Sequence, residues 1–153
     1  MPLLLSLLAC EKIIFENVTN KASLVNILHD VYIPVIRGVQ IPENTLAPLN
    51  WVVFSMWYRQ PTDGDSWWEQ LATLTGENGE TLLQSQPMRF QMDHQIMRAT
   101  VTFTNIPVYK ESQCMVKLYI RNLGIYPDLS ASTVQYEEIM SYPIALHHTF
   151  FPS

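Results

Sequence analysis

Along most of the chain apolar and polar residues alternate with a period of two, and no stretch sustains the spacing of a long amphipathic helix. HQIMRATVTFTNI sets Met97, Ala99, Val101 and Phe103 against Arg98, Thr100, Thr102 and Thr104, the pattern of a strand half in a core and half in water. SQCMVKLYIRN sets Cys114, Val116, Leu118 and Ile120 against Met115, Lys117, Tyr119 and Arg121 in the same way. NWVVFSMWYRQ behaves differently. Val52, Phe54, Met56 and Tyr58 oppose Trp51, Val53, Ser55, Trp57 and Arg59, and both rows are largely apolar. Such a strand is central or lies under an interface. The first row reads as the stronger core row, which leaves Trp51 and Trp57 on the second face.

The opening MPLLLSLLACEKIIFE places Leu3, Leu5, Leu7, Ala9, Ile13 and Phe15 in an apolar row interrupted by Glu11. That predicts one long strand, or two joined by a bulge near Cys10 to Lys12. No Lys or Arg precedes Leu3 and only nine residues precede Cys10, so the stretch reads as mature protein with Cys10 unlipidated, not as a signal. ASLVNILHDVYIP fits two periods: Leu24, Ile27, Leu28 and Val31 match a helix face, while Val25, Ile27, Val31 and Ile33 match a strand face. Its β-branched residues favour strand. Turn signals fall at Asn17 to Lys21, at Pro34 to Pro48, at PTDGD, at Gly76-Glu77-Asn78-Gly79 and at Asn122 to Ser132. STVQYEEIMSYPIALHHTF supplies one or two closing strands. Together these predict an all-β fold with little helix: one antiparallel β-sandwich of about eight strands, immunoglobulin-like or C2-like, spanning residues 1–153 as a single domain.

Composition sharpens this picture in one respect. Hydrophobic residues make up 48% of the 153 residues and charged ones 15%, against the roughly 25% usual in soluble domains. Part of the surface must then be apolar or uncharged, which favours a protein partner or a second copy over a fully solvated monomer. The net charge is −5 and the 9 Lys and Arg are scattered singly, so nucleic acid is not an expected partner. No apolar run approaches the roughly 20 residues of a membrane span. A cytoplasmic setting fits two cysteines, Cys10 and Cys114, that read as buried thiols, with a disulfide between them left open.

Chemistry is hard to find. The chain holds no GxGxxG, P-loop, GxSxG or HExxH pattern, and no catalytic residue, metal or cofactor is expected. His147 and His148 are adjacent, so on a strand they point to opposite faces. Asp63, Asp65 and Glu69 read as a solvated turn rather than a calcium loop. Asp93-His94 is an acid–base couple beside no recognisable nucleophile.

Surfaces remain. Trp67 and Trp68 must point to opposite faces; Trp51 and Trp57 share the face opposite the stronger core row; Met115 and Tyr119 stand opposite a clean one. These six are the candidate partner-binding residues, because exposed aromatics and Met make interface hot spots. The expected function is a non-enzymatic protein-interaction or self-assembly module. The alternative is a small-ligand-binding protein or enzyme with a loop-built site around Asp93 and His94.

CEKIIFE, ASLVNILHDVYI, PLNWVVFSMWYR, the G-E-N-G-E hairpin, VTFTNIPVY and the closing YPI resemble a broad family of small uncharacterised bacterial proteins, a domain of unknown function. The resemblance spans most of the chain and implies a single β-sandwich in a bacterial cytoplasm, with no catalytic residues to carry over. The chain departs from that pattern in its Trp content and in having Asn20-Lys21 where a Gly is common.

Overall fold

The computed structural model describes residues 1–16, 19, 21–108, 110–130 and 134–151, with the side chains of 129 and 130 left aside. The turn expected over Asn17 to Lys21 lies mostly outside the described residues, as does the end of the loop expected over Asn122 to Ser132.

The fold is all-β, in two sheets. One holds β1 (Leu3–Glu16), β2 (Lys21–Ile27), β4 (Leu46–Tyr58) and β8 (Ile96–Pro107) in the order β2-β1-β4-β8. The other runs β3-β10-β9-β5, with β3 at Asp30–Ile36, β5 at Trp67–Thr75, β9 at Ser112–Gly124 and β10 at Glu137–Phe151. The far side of β5 is taken by β6 (Thr81–Gln84) and β7 (Met88–Gln91). One helical turn, α1 (Pro127–Ser130), follows β9. Buried side chains from both sheets form one apolar cluster between them.

Among the described residues ten strands stand where about eight were expected, and two features account for the difference. ASLVNILHDVYIP is not one strand but two in different sheets. The Leu28 N–H donates to the Ala9 carbonyl at 2.8 Å, and one residue later the His29 carbonyl accepts from Ala145 N–H at 2.8 Å. The chain thus crosses between sheets at that point, and β3 meets β10 in parallel, so the second sheet is not wholly antiparallel. β6 and β7 form a broken edge along β5. At the break the Ser85 hydroxyl accepts the Ala72 N–H at 3.0 Å, a hydrogen bond a regular strand would supply from its backbone.

The rows of β8 and β9 point as expected. Ala99, Val101, Phe103, Cys114, Val116, Leu118 and Ile120 are buried between the sheets. Gly76 to Gly79 makes the expected turn, with Gly79 at φ 80 supplying the left-handed residue that closes it. β1 is one long strand, and its irregularity sits at Leu4/Ser6 rather than near Cys10. At Cys10 the strand pairs on both sides, with Val52 of β4 and Ile27 of β2.

β4 is inverted relative to the sequence reading. Trp51, Val53, Ser55 and Trp57 face the core, each 0% exposed. Trp51 stacks on Phe103 at 4.3 Å between ring centroids and donates its indole N–H to the Asn105 carbonyl at 3.0 Å. Trp57 donates to the Gln70 side-chain oxygen at 2.9 Å, and the Ser55 hydroxyl donates to the same oxygen at 2.9 Å. An indole brings the largest apolar area of any side chain, so it wins the core once its single N–H has an acceptor there.

Candidate functional site

The inversion turns Val52, Phe54, Met56 and Tyr58 outward. Register then fixes their neighbours. Across the sheet, Cys10 stands beside Val52 and Thr102, Leu8 beside Phe54 and Thr100, Ser6 beside Met56 and Arg98, and Leu3 beside Tyr58 and Ile96. One charged residue, Arg98, occurs among these twelve. Phe54 is 5% exposed and Cys10 0%, yet neither belongs to the cluster between the sheets. Around them Leu3 is 53% exposed, Ile96 48% and the bulged Leu5 44%.

The twelve positions run over three strands about 4.8 Å apart and along Val52 to Tyr58 at about 3.3 Å per residue, a footprint of roughly 200–300 Å². That is smaller than the roughly 800 Å² each partner contributes to a standard interface, so the twelve positions would form the centre of a contact rather than all of it.

The outer face of the six-stranded sheet is built in the opposite way. Glu69 on β5 is flanked in register by Arg89 on β7 and Arg121 on β9. Its carboxylate, 4% exposed, accepts from Arg89 Nε at 2.7 Å, from Arg121 Nε at 2.8 Å and from the Tyr136 hydroxyl. Arg121 lies over the Tyr136 ring, 4.4 Å from its centroid, and Arg89 continues to Asp128 at 3.0 Å. Burial alone would raise the Glu69 carboxyl, but the hydrogen bonds from Arg89, Tyr136 and Arg121, with the charge of Arg121, outweigh it and hold the group below its ordinary range. Burial and the same carboxylate push the Tyr136 hydroxyl up to about 12. Lys117 pairs with Glu138 at 3.0 Å beside Tyr119. Polar side chains thus close this face over β5.

The six candidate contact residues divide accordingly. Trp51, Trp57 and Trp68 are core residues, Trp68 at 4% exposure. Their place in the interface reading is corrected for the reason given above: they fill the space between the sheets. Trp67, Met115 and Tyr119 are half-buried on the polar outer face. Sequence reasoning missed Leu3, Leu8, Met56, Tyr58 and Ile96 as surface residues, while Phe54 is buried as expected although it points to the outer face. The available signal was side-chain area, because the row with two Trp had the stronger claim to burial.

The candidate chemistry does not converge. Asp93 and His94 lie 3.8 Å apart between β7 and β8 at 61% and 79% exposure. Asp63 is buried and accepts the Gln60 N–H at 2.6 Å, while Asp65, 85% exposed, stands beside Arg59. His147 bonds the Asp30 carboxylate at 2.8 Å and His148 the Val108 carbonyl at 2.9 Å. Among the described residues no three His, Cys, Asp or Glu side chains are placed to hold a metal ion. A cleft of about 360 Å³ opens beside Leu28, Tyr32 and Leu49, but its two carboxylates are engaged, Asp30 with His147 and Glu11 with Asn26 at 2.8 Å. Cys10 and Cys114 are both free and buried. No helix among the described residues is long and apolar enough to cross a membrane.

No protein-family model matches the chain, and no curated protein matches it.

Proposed function

We propose that this protein is a non-enzymatic interaction module, and that it makes contact through the outer face of its four-stranded sheet. The observation that carries this reading is the row Met56 and Tyr58 beside Leu3, Leu8 and Ile96, around a buried Phe54, with Arg98 the one charge among its twelve positions. Water covers such a face poorly, whereas a protein partner gains from burying it.

The architecture is of the immunoglobulin type. Its strand orders β1-β4-β8 and β10-β9-β5-β6 follow the A-B-E and G-F-C-C′ orders of variable-type domains, without a strand beside β8. The likeness to small uncharacterised bacterial proteins and the free buried thiols support a bacterial cytoplasmic setting.

Site-specific photo-crosslinking in cells tests the reading. A benzophenone side chain at Tyr58 or Met56 should yield a discrete protein adduct, and the same group at Tyr119 on the polar face should not. Adducts of equal yield from both faces, or none from Tyr58 and Met56, would overturn it.

A further inference from the structure

An unpaired sheet edge offers a row of free backbone N–H and C=O groups to any other strand, and most proteins disarm such edges. Three of the four edges here are disarmed. β2 is seven residues long, and Asn26, its last residue but one, takes a left-handed φ of 51. β3 is also seven residues and carries Pro34 within it. The β6–β7 edge is two pieces of four residues, broken over 85–87 where Pro87 sits.

β8 is not disarmed. It runs for twelve residues, keeps its Pro at the last of them, and carries a single charge, Arg98. Among the described residues it has no positive φ, and no strand pairs with its outer edge. Its middle, ATVTFTN, is rich in β-formers and exposes Thr102 and Thr104. Beside Thr102 to Asn105 the gap towards Leu83 to Gln86 is an open cleft of about 260 Å³.

We propose that β8 pairs antiparallel with β8 of a second copy, across a two-fold axis at Val101. The strand is self-complementary in that register. Thr100 meets Thr102 of the second copy, Ala99 meets Phe103, and Arg98 meets Thr104, so no like charges face each other. Thr–Thr pairs across antiparallel strands are favourable, and each backbone group on the edge finds a partner. The contact is isologous and closes at two subunits. Because the axis is perpendicular to the sheets, the two four-stranded sheets join into eight strands, and both apolar outer faces lie on one side. The inference goes beyond the contact surface proposed above and does not require it.

Sedimentation velocity on the full chain decides the matter. The wild type should be a dimer. Thr100→Lys with Thr102→Lys puts like charges opposite each other across the axis and should weaken dimerisation about tenfold or more. Thr100→Glu with Thr102→Glu should do the same, and mixing the two variants should restore a dimer. A wild type that stays monomeric overturns the proposal, and so does a double-Lys variant that stays dimeric. Should either double variant fail to fold, hydrogen exchange of the wild type replaces it: β8 amides should exchange more slowly at higher protein concentration, and concentration-independent exchange overturns the proposal.

Discussion

The indole N–H of Trp57 on β4 lies 2.9 Å from the side-chain oxygen of Gln70 on β5, and this hydrogen bond joins the two sheets through their core. Ser55 donates to the same oxygen, so one buried amide oxygen serves two donors from the opposite sheet. Both Trp57 and Gln70 are 0% exposed.

Trp57→Ala therefore acts on folding rather than on surface contact. It should cost about 3–5 kcal/mol in urea denaturation, because it empties a large volume and leaves Gln70 with fewer partners. A loss below about 1 kcal/mol would return Trp57 to the surface.

Glu69 ties β5 to β7 and β9 from the other face. Its folded carboxyl is held below the ordinary range, so the stability it contributes is complete above about pH 4.3 and is lost as pH falls through the lower folded value. Glu69→Gln should cost about 3 kcal/mol at neutral pH, and the gap to the wild type should narrow in acid. Urea midpoints at neutral and acidic pH measure both; an equal gap at the two would refute the assignment.

Tyr136 titrates in the opposite sense. Its hydroxyl is raised to about 12, so its share of stability is present below about pH 10 and lost as pH climbs through the folded value. Ultraviolet titration should show a phenol ionising late in the wild type and missing from Tyr136→Phe. A late transition that survives the substitution would assign it to another tyrosine.

Burial raises the thiols of Cys10 and Cys114 above the ordinary value. The native protein should react slowly with a disulfide reagent and release two equivalents on unfolding. Fast labelling of Cys10 in the native state would mean that the outer face around Val52 and Leu8 is open.

How much of this was legible in the sequence depended on contrast between rows. β8 and β9 each set an apolar row against Thr, Lys or Arg, and their inward faces could be read directly. β4 offered no such contrast. Its orientation is decided by Gln70, thirteen residues further on and in the other sheet, so no periodicity within the strand could reveal it. Ser55 misled for the same reason: a polar residue in a row looks like an exposed row until its buried partner is known. The split of β2 from β3 was equally hidden, since ASLVNILHDVYIP is continuous in pattern and its break is set by Ala9 and Ala145, from distant parts of the chain. The polar cluster around Glu69 draws Arg89, Arg121 and Tyr136 from separate segments, and no periodicity within any one of them reveals that they meet.

β4 has apolar or engaged side chains on both of its faces, and this bears on which substitutions the chain tolerates. In β9 every second position meets water, so a saturation scan should give a sawtooth, sensitive at Cys114, Val116, Leu118 and Ile120 and permissive between them. Along Trp51 to Tyr58 the sawtooth should vanish. Folding would reject changes at one set of positions, binding would reject them at the other, and no position in that stretch would be silent to both.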